Sequence, residues 1–422
     1  MRIRSVRSFL LSYPMPQPVR LSYYGGVRSI VKRDAMLIRV ESDDGLVGWG
    51  PGQANESAHR CIEGVIAPFL QDRVLADPDA LRVLFLQRMG DEPERFKVYC
   101  SVEIALLDLL GKALGVPASE LVGGRVREEI RLYGSAGMYQ PPQGYAEEAA
   151  RIASLGFSAY KMRPALGPDD DLEAVRLMRD AVGSGFNLMV DAHSWWRMGD
   201  KSYSPELVMQ LSRELGTYDV TWLEEPLPPL DHAAYRRLKD TGYVPLAAGE
   251  HESGEQSFRD LVHGNCVDYV QMDIVCQGGY TTCSRLVSEI ASAGLRFAFH
   301  SWGTDLEVIA AAQIGICWPE TVVEWLEYPV YSSGKVKSMY PFPLAADILR
   351  QPLDISNGEL HVSAAPGLGV EINEEVIDRY PWIPGPWSYF RFDSPRQTFA
   401  VTSDHSLPWA GDVASLGDEV SP

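Results

Sequence analysis

From about residue 130 onward, eight short apolar runs recur at intervals of roughly 25 to 30 residues, and no other feature restricts the fold as much. They read IRLYGSA, FSAYKM, FNLMVDA, VTWLEEP, VPLAAGE, VDYVQMD, LRFAFHS and TVVEWLE. Between them lie stretches of helical periodicity such as DLEAVRLMRDAVG and PELVMQLSRELG. Strands that alternate with helices predict a parallel sheet, and eight such units predict a parallel α/β barrel of about 250 residues. An open doubly wound sheet is the competitor, but it usually has fewer strands, and no glycine-rich phosphate loop follows the first run.

The flanks read differently. Residues 1–128 combine strand-like MLIRVESDDGLVGWG with helical VEIALLDLLGKALGVPASELVGG, an α+β unit that precedes a barrel over 129–335. Residues 336–379 contain LDISNGELHVSAAPGLGVEIN, turn-rich and strand-like, expected to return to the first unit. The stretch 380–422 begins YPWIPGPWSYFRFDSPRQTF, with neither helical nor strand period; it is expected either to cover a neighbouring subunit or to form an irregular surface extension.

The net charge of −19 argues against a nucleic-acid or membrane surface, both of which need clustered cations. The six cysteines show no paired short spacing, so neither a zinc site nor a disulfide framework is indicated. No signal-peptide core and no run of about 18 apolar residues appears, and a cytoplasmic protein is expected.

Every run but the first ends in polar residues: Lys161 and Arg163, Asp191 and His193, Glu224 and Glu225, Glu250 and His251, Asp273, His300, and Glu327. In a parallel barrel the strands' carboxyl ends open onto one mouth, so these side chains converge. Asp191, Glu224 and Glu250 fall on three neighbouring strands; without a cation they would repel one another, and all-oxygen ligation favours Mg²⁺. Asp273 beside His300 would fix the imidazole's tautomer and raise its basicity, as a general base requires. Lys161 and Arg163, two apart on one strand, share a face and need an anion there.

At this point the chain resembles the mandelate racemase subgroup of the enolase superfamily, over roughly residues 1 to 375. The resemblance rests on GLVGWG, ALLDLLGKALGVPASELVGG, LEEP, GEH, DIVCQGG, HSWGT, LEYP and PGLGVE. It implies a modified TIM barrel, (β/α)7β, with an α+β capping domain formed by the N-terminal region and a C-terminal return. It also implies Mg²⁺ on Asp191, Glu224 and Glu250, a His300–Asp273 acid/base dyad, and Glu327 as hydrogen-bond donor to the substrate carboxylate as it becomes an enediolate. The shared chemistry of that family is proton abstraction beside a carboxylate.

Two positions depart from the family's racemases. Arg163 stands where a second lysine is usual, and a guanidinium is almost never neutral. That leaves Lys161 as a second base, or both cations as electrostatic clamps facing the substrate carboxylate. His193 stands where an amide is often found, and is expected either to protonate a departing hydroxide or to hydrogen-bond a metal ligand. His251, Trp302, Tyr23 and Tyr24 are candidate substrate contacts, the tyrosines on a glycine-hinged lid loop, PVRLSYYGGVRS. The expected protein is therefore a Mg²⁺-dependent acid-sugar dehydratase, a homo-oligomer acting on a small carboxylic acid. A lactone or anhydro-sugar cycloisomerase is second and an epimerase third; a Schiff-base aldolase or a non-catalytic binding protein are the rivals from other classes.

Overall fold

The computed structural model describes residues 1–90, 92–164, 166–252, 254–330 and 342–393. The chain opens with two long antiparallel strands, β1 (Ile3–Tyr23) and β2 (Gly26–Ser42), and a short third, β3 (Val47–Gly52), which pairs with β2. This sheet packs on the helix Pro93–Leu114, whose middle is buried without a break from Val98 to Gly111. The GLVGWG motif has a steric reason: a Cβ at Gly48 would lie 2.4 Å from the Ala105 carbonyl of that helix, so only glycine lets β3 come so close.

Eight parallel strands follow, one for each apolar run: β4 (Glu129–Met138), β5 (Ala159–Arg163), β6 (Asn187–Asp191), β7 (Val220–Glu224), β8 (Leu246–Ala248), β9 (Tyr269–Met272), β10 (Arg296–Phe299) and β11 (Val323–Pro329). They pair in chain order, and β11 pairs with β4, so the sheet closes into a barrel. A helix joins each strand to the next, giving (β/α)7β, and the local sequence explains their ends. Ahead of the helix Pro205–Gly216, for instance, Ser204 accepts the Leu207 amide, Pro205 occupies the first turn, and Val208, Leu211 and Leu215 form the buried stripe.

Inside the barrel, Tyr133, Ala159, Met189, Trp222, Ala247, Tyr269, Ala298 and Trp325, one from each strand, make a packed floor. Large and small side chains interdigitate there, and the floor leaves no pore.

The C-terminal region meets one expectation and departs from another. The run expected to rejoin the first unit forms a hairpin, β12 (Ile355–Ser356) and β13 (Glu359–His361), and β13 pairs with the start of β4 at the barrel's far edge. Beyond the hairpin the chain does return to the cap: Asp108 of the long helix accepts the Leu368 amide at 2.7 Å, and the Gly367 carbonyl accepts the Ala118 amide at 2.7 Å. The aromatic tail is the departure. Its described part is not irregular: β14 (Ser388–Phe392) pairs antiparallel with β2, from Ser388↔Ile30 to Phe392↔Gly26. It extends the edge of β2 that β3 occupies only from Met36 to Glu41, and Arg28 lies over the Trp387 and Phe390 rings at 4.3 and 4.8 Å. Residues 394–422 of the tail, and 331–341, lie outside the described residues. No helix among the described residues is long and apolar enough to cross a membrane.

Candidate active site

Two residues beyond the floor, the same inward alternation places Ser135, Lys161, Asp191, Glu224, Gln271, His300 and Glu327 in a second ring. All but His300 are almost fully buried. β8 alone breaks the rhythm. The position two beyond Ala247 is Gly249, with φ of +142°, where a Cβ would meet the Gln271 carbonyl at 2.0 Å. The strand has ended at Ala248, and the turn presents Glu250 in place of residue 249. Glu225 holds this turn: its carboxylate accepts the His251 amide at 3.2 Å and lies 2.5 Å from His251 Nδ1. His251 therefore sits beside Glu250, with Nδ1 3.3 Å from Oε1, and is not forced to the opposite face.

Asp191, Glu224 and Glu250 each offer an oxygen within 4.8 Å of the others. Asp191 Oδ2 and Glu250 Oε2 are buried and accept no hydrogen bond, although cations lie near both. Converging carboxylate oxygens, some lacking donors, suit a hard divalent cation. Burial pushes the Glu224 carboxyl up to about 8; Asp191, Glu250 and Glu327 add to this and Lys161 opposes it. Glu225, Glu250 and His251 form a second cluster of possible ligands, but Glu225 is occupied by the turn it holds.

The anions facing the two buried cations are the protein's own. Lys161 Nζ lies 2.6 Å from Glu224 Oε1, 3.2 Å from Glu327 Oε1 and 3.6 Å from Asp191 Oδ2. Arg163 reaches Asp191 at 3.1 Å through Nε, Glu327 at 2.9 Å through Nη2 and the Ser135 hydroxyl at 2.8 Å. Burial alone would lower the Lys161 pKa; Glu224, Glu327 and Asp191 outweigh it and hold the amine above its ordinary value. For Glu327 burial acts upward, yet Lys161, His300 and Arg163 pull its carboxyl below the usual range. The role of donor to an enediolate requires the opposite, protonated form.

His300 is held at both nitrogens. Nδ1 lies 2.9 Å from Asp273 Oδ2 and Nε2 lies 3.0 Å from Glu250 Oε2. Asp273 is itself fixed, since its other oxygen accepts the Val275 and Cys276 amides at 2.8 and 3.1 Å. Burial would lower the imidazole's pKa, but Glu250, Glu327 and Asp273 carry it well above its ordinary value. His193 Nδ1 lies 2.5 Å from Asp191 Oδ1, which places this histidine on a candidate metal ligand.

The remaining candidates separate. Trp302 lies over the Arg163 guanidinium at 3.7 Å, inside the site. Tyr23 and Tyr24 do not belong to a hinged loop: strand pairing continues to Tyr23↔Gly26, and Tyr24 and Gly25 form the turn of a hairpin. Tyr23 packs on Tyr139 and Phe390, while Tyr24 docks on Tyr203 and Lys201 in the segment after β6. Three polar residues escaped the sequence reading. Gln271, which donates to Glu224 Oε2 at 2.8 Å, and Ser135 were both visible by counting in twos along their strands. Arg197, which contacts His251 Nε2, lies in an irregular segment after β6 and left no periodic signal.

An α+β cap over a (β/α)7β barrel, with three carboxylates on successive strands at its mouth, defines an enolase-type barrel. The chain belongs to the mandelate racemase and muconate lactonizing enzyme group of the enolase superfamily. Residues 8–123 match the mandelate racemase / muconate lactonizing enzyme N-terminal domain, and residues 144–376 match the enolase C-terminal domain-like family. The D-galactarolactone cycloisomerase of Agrobacterium fabrum is 27% identical over 395 residues, 90% of this chain and 99% of its own. The D-xylonate dehydratase of Haloferax volcanii is 28% identical over 368 residues, 82% of this chain and 85% of its own. The crystal structure of the 3,6-anhydro-D-galactonate cycloisomerase from Zobellia galactanivorans superposes with a TM-score of 0.76 at 25% identity, covering 90% of this chain and 99% of that one. Members of the superfamily are enzymes, and those similar to this chain include sugar-acid dehydratases and cycloisomerases.

Proposed function

We propose that this protein is a Mg²⁺-dependent acid-sugar dehydratase, which removes the proton α to a carboxylate and expels the β-hydroxyl to give a 2-keto-3-deoxy acid. The observation that supports this most is the pair of imidazoles tied to the two ends of the carboxylate set. His193 lies on Asp191 and His300 forms an ion pair with Glu250, so a base and an acid are both at hand. A hard divalent cation held by Asp191, Glu224 and Glu250 would take up their charge and supply Lewis-acid stabilisation to the substrate carboxylate.

Once Glu250 no longer holds it as a cation, His300 accepts the C2 proton at Nε2, while Asp273 keeps Nδ1 protonated and the ring aligned. The electron pair from the C2–H bond becomes the enediolate, with Lys161 and Arg163 as fixed positive charges nearby. The pair then returns to form the C2–C3 double bond as the C3–O bond breaks. His193, anchored by Asp191 at Nδ1, gives a proton from Nε2 to the departing hydroxide, and water leaves. The resulting enol takes a proton at C3 to become the ketone. A Schiff-base aldolase would need a neutral Lys161, which three carboxylates oppose.

Cycloisomerisation is the second reading, favoured by the relative from Agrobacterium fabrum, which this chain covers almost completely. The same α-proton is removed, but the leaving group is a ring oxygen. Proton NMR in D₂O with Mg²⁺, over pooled sugar acids and their lactones and with a chelated control, tests both. Chelator-sensitive appearance of a 2-keto-3-deoxy acid from an open-chain acid supports dehydration; consumption of a lactone alone supports cycloisomerisation. Exchange at C2 without loss of a substituent would overturn both in favour of an epimerase.

A further inference from the structure

The described part of the C-terminal tail reaches the active site through a column of alternating arginine and tryptophan side chains. At its inner end Trp302 covers the face of the Arg163 guanidinium, 3.7 Å from the ring centroid. Arg33, on β2 of the cap, meets Trp302 twice: it lies 5.7 Å from the ring, and its Nη2 donates to the Trp302 carbonyl at 3.2 Å. Arg33 also lies over the Trp387 ring at 4.9 Å, and the same ring receives Arg28 at 4.3 Å. Three guanidinium groups, none more than 8% exposed, are thus linked by two tryptophans. Trp387 is itself fixed: the Val31 amide donates to its carbonyl at 3.0 Å, and β14 begins at the next residue. A leucine there would cover the edge of β2 as well, but only an aromatic face attracts two buried cations that repel each other. Trp387 and β14 lie beyond residue 376, where the match to the enolase C-terminal domain-like family ends.

We propose that the C-terminal strand completes the active site: Trp387 is a positioning residue that, through Arg33 and Trp302, holds Arg163 in place. Arg163 uses its donors in its own plane, on Asp191, Glu327 and Ser135, so those bonds fix the edges of the group and leave its faces to other contacts. A ring on one face stops the guanidinium from tilting and keeps water from the ion pairs beside it, which are stronger where water is excluded. The same anchor reaches the proposed base, because Trp302 follows His300 by two residues and Arg33 holds the Trp302 carbonyl. The placement of Arg163 does not depend on which reaction is catalysed; only its consequence for catalysis rests on the proposed function.

The test is the side-chain Nε–H resonance of Arg163 in the full-length protein carrying isotope-labelled arginine, identified by its loss in Arg163→Lys. The ring current of Trp302 displaces this resonance, which therefore reports how the ring sits on the guanidinium. Trp302→Leu should shift it most. Trp387→Leu should move it in the same direction, Trp387→Phe should restore most of its position, and melting temperatures should change little. Trp382 serves as the control: it lies over Lys32 at 4.1 Å in the same tail but outside the column, and Trp382→Leu should leave the resonance where it was. A resonance unmoved by Trp387→Leu would overturn the proposal and reduce the strand to a cover for the edge of β2. An equal shift in Trp382→Leu would overturn it too, as a general loosening of the cap. Deuterium exchange at C2 over pooled sugar acids with Mg²⁺ reads the chemistry separately. Exchange that falls about tenfold in Trp387→Leu and recovers in Trp387→Phe supports the role in the reaction, and exchange that stays unchanged overturns that role. No exchange in the unaltered protein would defeat the enediolate reading, while the resonance still decides whether the strand holds Arg163.

Discussion

Two layers of one barrel, two residues apart along the same strands, do opposite things. Ala159, Met189, Trp222, Ala298 and Trp325 fill the floor; Lys161, Asp191, Glu224, His300 and Glu327 stand directly above them. The floor stabilises, because each large aromatic removes about 150–250 Å² from water. The upper ring costs stability, since every buried ion there gives up hydration worth several kcal/mol that pairing only partly returns. The barrel thus tolerates an expensive ring because a dry, interlocked layer lies beneath it. Chemistry and stability should then respond to substitution separately.

The largest separation is expected at His300. His300→Asn keeps a hydrogen-bonding group near Asp273 but removes the proposed base, and C2 proton exchange should fall about 10³-fold or more while the melting temperature barely moves. A parallel loss of melting temperature would show the ring to be structural after all. Trp222→Ala reverses the pattern: truncating a fully buried tryptophan should cost about 3–5 kcal/mol in urea unfolding. Because Trp222 Nε1 also donates to Glu224 Oε2 at 2.9 Å, Trp222→Phe should recover most of that stability yet weaken Mg²⁺ binding, a point where the two layers are coupled.

Much of this contrast was legible in sequence because a strand's period is two. The alternation that makes WLE and FAFH read as strands also places the floor and the ring, so Asp191, Glu224, Asp273, His300 and Glu327 could be identified from the ends of apolar runs. What escaped lies where that period fails. β14 is hidden because prolines and aromatics obscure its alternation and because its partner, β2, is some 360 residues away in the chain, as the Arg28–Ser388 bond shows. The Tyr23–Tyr24 stretch read as a glycine-hinged loop because a hairpin turn and a hinge call for the same residues. Arg197 lies in irregular chain, where no period marks it.

A third way to sharpen the comparison lies just outside the ring. Asp305 begins the helix that follows β10, is 5% exposed, and has its carboxyl pushed up to about 7 by burial. The folded chain therefore keeps a proton that the unfolded chain releases near the ordinary carboxyl value. Stability is full below about pH 4, declines as pH rises, and reaches its lowest contribution once pH passes about 7. Asp305→Asn should remove this decline, adding roughly 2–3 kcal/mol at pH 8 and almost nothing at pH 4, after allowance for the helix N-terminus, which favours the charged form. Urea midpoints at the two pH values measure it. An equal gain at both would mean that burial of this charge is not the cause.

The smallest expected effect on the fold falls on the one strand that breaks the two-residue step. Gly249 occupies the ring position of β8, and its left-handed conformation turns the chain so that Glu250 supplies the carboxylate instead. Gly249→Ala would press a methyl against the Gln271 carbonyl and strain a φ of +142°. The turn lies at the rim, so the chain can yield, and a loss of about 1–2 kcal/mol is expected. What yields is the placement of Glu250. Mg²⁺ affinity, read by calorimetry, should fall about tenfold, because a displaced carboxylate loses its match to the oxygens of Asp191 and Glu224. Unchanged affinity with lowered stability would mean that Glu250 reaches its place without Gly249, and that the break in β8 serves the backbone alone. Lowered affinity with little change in stability would show that this strand gave up its regular alternation for the sake of the carboxylate set.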